Sequence, residues 1–373
     1  MLAHVDLPVM PPIDPMLARS VSGVPQPDSV DGGLAYEPKW DGFRCLVFRD
    51  GDEVELASRN GRPITRYFPE LVDGLRTELP QRCVLDGEVV VATGGRLQFE
   101  LLQQRIHPAA SRVKMLAEQI PARFVAFDLL AVGERSLMAE SFADRRRALE
   151  DTVPGTESVP PSDGPGRSAY LTPICYDHHT AVAWFGSFEG AGLDGIVAKP
   201  LAAPYQPGKR AMIKIKHERT ADCVLAGYRL HKTSTAERPL LGSLLLGLYD
   251  DGGQLQFVGV SASFPTARRA ALIGELVPLV ATGDGHPWAD WQDPASGRRP
   301  GAESRWSSGK DLSFTPLRPE RVLEVAYDHM EGTRFRHTAQ FRRWRDDRDP
   351  ASCTFAQLEE PVGYDLARIL PGV

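Results

Sequence analysis

The chain has 373 residues, 42% hydrophobic and 25% charged, which fits an ordinary globular protein with a substantial core and room for two or three domains. No apolar run approaches the roughly 20 residues of a membrane helix, and the first residues carry neither a basic n-region nor an apolar h-region, so neither a membrane span nor a secretory leader is expected. The net charge of −6 argues against a protein that coats nucleic acid non-specifically, although it leaves room for a local basic groove. Cys45, Cys83, Cys175, Cys223 and Cys353 are scattered without a Cys-x-x-Cys pair. A zinc module or disulfide framework is therefore not expected, and a reducing cytoplasm is the expected compartment.

Residues 1–30 hold Pro8, Pro11, Pro12, Pro15, Pro25 and Pro27 and read as an extended lead-in with little regular structure. From Leu34 the pattern is β, with strands expected over 34–39, 44–49 and 53–58. Between the first two lies Lys39-Trp40-Asp41-Gly42-Phe43-Arg44. Asp41-Gly42 reads as a tight turn in which glycine is free to take positive φ. A lysine amine has an unperturbed pKa of about 10.4 and becomes a nucleophile only when neighbouring positive charge or a metal eases its deprotonation. In a strand-turn-strand geometry Lys39 and Arg44 could face one pocket. For this stretch alone an ordinary loop with a solvated lysine is the favoured reading. Ser58-Arg59-Asn60-Gly61-Arg62 reads as a polar turn, either solvated or touching an anion or ribose.

The apolar strand over 83–91 is interrupted by Asp86-Gly87-Glu88. A buried strand does not usually carry two carboxylates unless they are paired or bind a cation, which makes Glu88 a candidate to point into a site. A hairpin at Thr93-Gly94-Gly95 and a helix over 99–106 follow. The strand over 123–130 contains Phe127, readable as core or as a ring stacked on a base. Ser141 is expected to cap a helix reaching Glu150. Residues 154–168 read as a surface loop, and a helix is expected over 180–189 with Gly192 as its stop. Asp194-Gly195-Ile196-Val197-Ala198-Lys199 repeats the carboxylate-glycine-strand arrangement. Met212-Ile213-Lys214-Ile215-Lys216 alternates apolar and basic residues, so its two lysines share one face and call for a polyanion, unless the strand is simply solvated.

Beyond His217 the pattern changes. Strands are expected over 223–230, 243–249, 254–260 and 322–328, with a helix over 266–280 and Thr266 near its N-cap. Such a segment is compatible with a small Greek-key barrel of the OB type. It ends in a cationic stretch in which Arg334, Arg336, Arg342, Arg343, Arg345 and Arg348 are interleaved with Phe335, Phe341 and Trp344. Phosphate or nucleic-acid contact and a surface salted by Asp346, Asp347 and Asp349 are both open readings.

As an ordered set these elements are recognisable. Lys39-Trp40-Asp41-Gly42-Phe43-Arg44 resembles the nucleophile motif of covalent nucleotidyltransferases. Ser58–Gly61, Asp86–Glu88, residues 124–130, Asp194–Val197 and Lys214–Lys216 resemble the later motifs of that superfamily, in its order. Over nearly its whole length the chain resembles ATP-dependent DNA ligases of the small stand-alone bacterial type. The resemblance implies an α+β, two-domain protein: a nucleotidyltransferase domain of antiparallel sheets with flanking helices, then an OB-fold β-barrel. The expected divisions are a lead-in at 1–30, the first domain at 31–218, the OB fold at 219–355 and a tail at 356–373.

The resemblance also implies roles. Lys39 would attack the α-phosphorus of ATP and carry AMP. Glu37 and Pro38 would lie near the adenine, with Phe127 stacked on it. Arg44, Arg59 and Glu88 would contact ribose or the metal's water shell, and Lys214 and Lys216 would neutralise the α-phosphate. Arg336, Arg345 and Arg348 resemble the last motif, which grips the β- and γ-phosphates. Glu88 and Asp194 are the implied ligands of Mg²⁺ (or Mn²⁺), with Asp194 standing where a glutamate is commoner. The implied partner is nicked duplex DNA, with a repair polymerase or other repair protein as a further candidate, and a monomer is the default. The alternatives carried alongside are an RNA ligase, a GTP-using capping enzyme and a non-catalytic OB-type binding protein. A labelling assay with ATP and GTP separates them.

Overall fold

The computed structural model of the chain describes residues 5–153, 166–282, 285–289, 300, 312–358 and 363–370. It divides into two compact units, Met1–Lys216 with Pro361–Val373, and His217–Glu360. The expected loop at 154–168 lies mostly outside the described residues.

In chain order the first unit contains β1 (Ala18–Val21), β2 (Leu34–Pro38), β3 (Phe43–Asp50), β4 (Glu53–Ser58), α1 (Pro69–Glu78), β5 (Arg82–Val90), β6 (Ala92–Thr93), β7 (Arg96–Leu97), α2 (Phe99–Gln104) and α3 (Ala110–Gln119). There follow β8 (Arg123–Val132), β9 (Arg135–Ser136), α4 (Phe142–Thr152), β10 (Ala169–Leu171), α5 (His178–Ser187), β11 (Ile196–Pro200) and β12 (Met212–Ile215). One sheet has the order β1-β12-β11-β2 and the other β10-β8-β5-β3-β4, with β9 attached to β8. They are mixed rather than purely antiparallel. β1 runs parallel to β12, and β10 parallel to β8. Parallel neighbours need long connections, which these sequence-distant pairs have.

The lead-in does not stay irregular. β1 joins the first sheet through Ala18 opposite Met212. Val5, Leu7 and Val9 alternate at period two and bury with Met16, Phe48, Leu130 and Tyr205 in one apolar cluster. The end of the chain likewise returns to the first unit, where Leu366 and Leu370 bury beside Trp40, Phe127 and Phe188. The Leu366 N–H donates to the Gly95 carbonyl at 2.7 Å. The expected separate lead-in and tail are thus parts of the first unit's core, because each carries apolar residues that need a partner surface.

Helix limits follow local chemistry. The Ser141 side chain accepts from the Asp144 N–H and opens α4. Asp177 accepts from the Thr180 N–H, so α5 begins at His178, earlier than expected, and Gly192 follows at φ 83° in the left-handed region.

The second unit contains β13 (Arg219–Leu230), β14 (Leu241–Tyr249), β15 (Leu255–Ser261), α6 (Thr266–Leu276), β16 (Thr315–Tyr327), β17 (Met330–Glu331), β18 (Arg334–Phe335) and β19 (Gln340–Trp344). Its sheet has the order β15-β14-β13-β16-β19, antiparallel throughout. Among the described residues a single bridge, Ser261 to Ala339, reaches from the end of β15 to the residue before β19, so the unit is OB-like without a continuous closing ladder. α6 is shorter than expected, since Pro278 cannot continue a helix, and Pro265 rather than Thr266 holds the cap position.

The strand that presents Phe127 is fastened from behind. Asp128, 2% exposed, accepts from Arg145 Nε at 2.7 Å and Nη2 at 3.0 Å, and Arg145 on α4 is wholly buried. Removing one member strands a buried charge, whereas replacing both does not. Arg145→Met is therefore expected to cost about 3–5 kcal/mol in denaturant unfolding, and Asp128→Leu with Arg145→Met distinctly less. Equal losses would show that the pair is not what holds β8 to α4.

Candidate active site

Lys39 follows directly on β2. Its N–H donates to the Gly195 carbonyl and its carbonyl accepts from the Asp194 N–H, both at 2.9 Å. This exchange sets the two side chains against each other, and Lys39 Nζ lies 2.6 Å from Asp194 Oδ2. Lys216 Nζ lies 2.7 Å from the same oxygen. Burial alone would raise the Asp194 carboxyl, but Lys39 and Lys216 hold it below the usual carboxylate range. Gly195 is required here. It sits at φ 108°, and a Cβ would stand 2.0 Å from the Ile215 carbonyl oxygen. Gly42 is required for a different reason from the one the sequence suggests. It is not in the left-handed region; instead a Cβ would stand 2.2 Å from the Val89 carbonyl oxygen and 2.8 Å from Glu88 Cγ.

Lys39 borders a cavity of about 650 Å³ lined also by Glu37, Pro38, Trp40, Arg44, Arg59, Glu88, Phe127, Lys199, Lys214 and Lys216. The first unit thus gathers the expected residues from β2, β3, β5, β8 and β12 and the loop after β4. Arg19, Ser20 and Arg210 line the same space. The first two come from β1, which the sequence reading left irregular, so no signal pointed to them. Lys199 carried a readable signal that went unused: a lysine closing an apolar strand is costly unless paired.

Arg44 is more committed than expected. Its Nε and Nη2 each donate to Asp86 at 2.6 Å, its Nη2 reaches the Met16 carbonyl at 3.2 Å, and its guanidinium stands 4.5 Å from the Phe127 ring centroid. Asp86 is fully buried and also accepts from the Tyr205 hydroxyl at 2.6 Å. Of the two carboxylates of the Asp-Gly-Glu run, one is therefore paired and the other, Glu88, faces the cavity. Burial pushes the Glu88 carboxyl up to about 7, although Arg44 and Lys39 pull the other way.

Glu37 is 2% exposed. Its Oε2 accepts from Lys199 Nζ at 2.7 Å, and Arg146 Nη1 lies 3.5 Å from Oε1. Burial raises its carboxyl, and Lys199 and Arg146 oppose that rise. Lys214 is in the reverse position. Burial lowers its ammonium, and Lys216, Lys39 and Arg59 lower it further. Crowded cations of this kind are relieved by a polyanion.

No group of three or more His, Cys, Asp or Glu gathers to cage a metal ion among the described residues. Asp194, expected as a metal ligand, serves here as the counter-ion of Lys39 and Lys216 through one oxygen. Of the carboxylates lining the cavity among the described residues, Glu37 is ion-paired with Lys199, and Glu88 has no ion pair as close.

Arg336, Arg345 and Arg348 belong to the second unit and are not among the residues lining this cavity. Arg345 Nη1 donates to both Asp222 oxygens, at 3.0 and 2.9 Å, and its Nε and Nη2 donate to Asp347. Arg348 Nε stands 3.6 Å from Asp222 Oδ2, and Arg336 Nη1 lies 3.0 Å from His329 Nε2. Arg345 thus joins β13 to the turn after β19.

Residues 15–216 match the family described as ATP dependent DNA ligase domain, and residues 237–348 the ATP dependent DNA ligase C terminal region. The chain is 57% identical to DNA ligase C of Mycobacterium tuberculosis (strain ATCC 25618 / H37Rv) over 372 residues, 99% of this chain and 100% of that one. It is 58% identical to DNA ligase C2 of Mycolicibacterium smegmatis over 362 residues, covering 96% of this chain and 97% of the relative. A solved Lig E DNA ligase superimposes with a TM-score of 0.53 at 17% identity, over 89% of this chain and 100% of that chain, a likeness of fold alone. Both family regions occur in order, and the full-length relatives share more than half of its residues; the chain belongs to the ATP-dependent DNA ligases.

Proposed function

We propose that Lys39 is the residue through which this ligase carries AMP, with the cavity around it as the ATP site. The observation that supports this most strongly is the position of Lys39 Nζ, 2.6 Å from Asp194 and lining a cavity that also contains Lys214, Lys216, Arg59 and Arg44. The Lys39 amine attacks the α-phosphorus, the Nζ–P bond forms, the bond to pyrophosphate breaks, and the amine's proton leaves to solvent. Asp194 is too weak a base to take that proton, because the two lysines hold its carboxyl low. Its part is to orient Nζ. Phosphoryl transfer depends on charge neutralisation and in-line positioning, which Lys214 and Lys216 provide at the α-phosphate. Glu37, Pro38 and Phe127 hold the base, and Arg59 and the remaining donor edge of Arg44 hold ribose. Arg336, Arg345 and Arg348 stand in the second unit as the residues that resemble the family's last motif.

Family membership brings ATP and a divalent metal. The finer reading is Mg²⁺, replaceable by Mn²⁺, with Glu88 as its protein oxygen. When bound, the metal neutralises phosphate charge. The adenylate then passes to a 5′-phosphate at a nick in duplex DNA, and the 3′-hydroxyl displaces AMP. Repair is the pathway this reading assigns, with the chain acting as a cytoplasmic monomer, alone or beside a repair polymerase. Among the described residues no helix is long and apolar enough to cross a membrane.

Incubation with metal and α-labelled ATP, followed by a denaturing gel, tests the assignment. Label should stay on the protein and chase onto nicked duplex. Lys39→Ala should abolish it, and Lys39→Arg should fail as well despite keeping the charge. Label retained by either variant refutes the role of Lys39. Glu88→Ala should move the metal titration of adenylation to higher concentration, and an unchanged titration removes Glu88 from the metal. Because the whole chain is acidic, nick binding has to come from local phosphate contacts. Log affinity should fall linearly with log salt, by about 0.9 for each phosphate neutralised.

A further inference from the structure

Lys199 is 3% exposed, whereas Lys39 and Lys216 keep 21% and 25% of their side chains accessible. Its ammonium donates to Glu37 Oε2 at 2.7 Å and to the Phe127 carbonyl oxygen at 2.7 Å. It also lies 4.8 Å from the Phe127 ring centroid and 4.6 Å from that of Phe142. The register explains the first contact. Glu37 stands opposite Val197 in the β2–β11 ladder, so Lys199 is its diagonal neighbour on the same face. One buried cation therefore joins the carboxylate and the ring that border one end of the cavity.

We infer that Lys199, seconded by Arg146, determines base specificity: it keeps Glu37 a pure hydrogen-bond acceptor, so that the cavity accepts the 6-amino group of adenine and rejects the 6-oxo group of guanine. This rests on the reading that Glu37 and Phe127 hold the base. An ionised carboxylate only accepts hydrogen bonds, whereas a protonated one also donates. Adenine offers a donor at position 6 and guanine an acceptor. A carboxyl buried to this degree would take up a proton if left unpaired. The charged groups facing Glu37 are Lys199 on β11, Arg146 on α4, Asp128 on β8 and the Tyr176 hydroxyl before α5. Asp128 is neutralised by Arg145 and Arg146 is shared with Glu150, which leaves Lys199 as the close counter-ion. Without it, Glu37 protonates and becomes able to donate to guanine.

The test compares initial rates of protein labelling from α-labelled ATP and α-labelled GTP across pH 6 to 9. Lys199→Met is expected to lower the ATP-to-GTP ratio by about tenfold or more. Its labelling from ATP should also rise with pH over a range in which the parent protein is level, because Glu37 then ionises only at higher pH. A role confined to holding the fold would move neither the ratio nor the profile. Glu37→Gln with Lys199→Met leaves no unpaired charge and guards against misfolding of the single variant. Its ratio should equal that of Glu37→Gln alone, since the effect runs through Glu37. A ratio and pH profile unchanged in Lys199→Met, or a further change in the double variant, overturns the inference. An unchanged ratio in Glu37→Gln instead overturns the underlying reading that Glu37 meets the base.

Discussion

Strands β2 and β11 pair over five positions, from Leu34 opposite Pro200 to Pro38 opposite Ile196. This ladder joins segments far apart in the chain, and the site depends on it. Where the strands end, the backbone exchange between Lys39 and Asp194-Gly195 continues the pairing and puts an amine and a carboxylate 2.6 Å apart. On the same ladder Glu37 meets Lys199. β12 adds Lys214 on the other side of β11, opposite Val197. A register slip of one residue would turn every one of these side chains to the opposite face, so the hydrogen-bond pattern of one small sheet decides where the charges stand. Gly195 lets the ladder close, because the Ile215 carbonyl occupies the place of a side chain.

The charges themselves are in two conditions. Lys39, Arg44 and Lys199 each have a buried or half-buried carboxylate behind them: Asp194, Asp86 and Glu37 respectively. These pairs hold the cations in place along the cavity. Lys214 instead has Lys216, Lys39 and Arg59 as neighbours, and its ammonium is destabilised. An anion entering the cavity loses less than it would in water, because part of the cost of gathering positive charge has already been met by folding. A chain of net charge −6 can thus present a strongly cationic site, since the excess of acid lies elsewhere on its surface.

Much of this was legible in the sequence. The Lys39 stretch, the apolar strand broken by Asp86 and Glu88, and the alternation ending in Lys214 and Lys216 each carry residue types that ordinary strands avoid. Their order pointed to the right family and to nine of the residues that line the cavity. What escaped was set by tertiary contact. The period-two pattern of Val5, Leu7 and Val9 was masked by surrounding prolines, and the short β1 at Ala18–Val21, with Arg19 and Ser20, went unseen. α1, with Leu71, Val72 and Leu75 buried on one face, was not among the expected elements. Gly42 invited a turn argument, and its true constraint, the Val89 carbonyl, lies on a strand that the local sequence does not name.

Asp194 and Glu88 show how two acids near one lysine can stand in different surroundings. The family resemblance implies a metal ligand at Asp194, and its shorter reach than glutamate puts that role in doubt. The structure gives the missing term, two lysines on one carboxylate oxygen. A carboxylate so paired resists protonation, because both ammonium groups favour its ionised form. Glu88 has the opposite balance. Burial holds its carboxyl up at about 7 although Arg44 and Lys39 oppose the rise, and a cation beside it would favour the ionised form. The two acids thus differ in their surroundings: Asp194 is ion-paired with Lys39 and Lys216, and Glu88 lines the cavity with its carboxyl raised by burial.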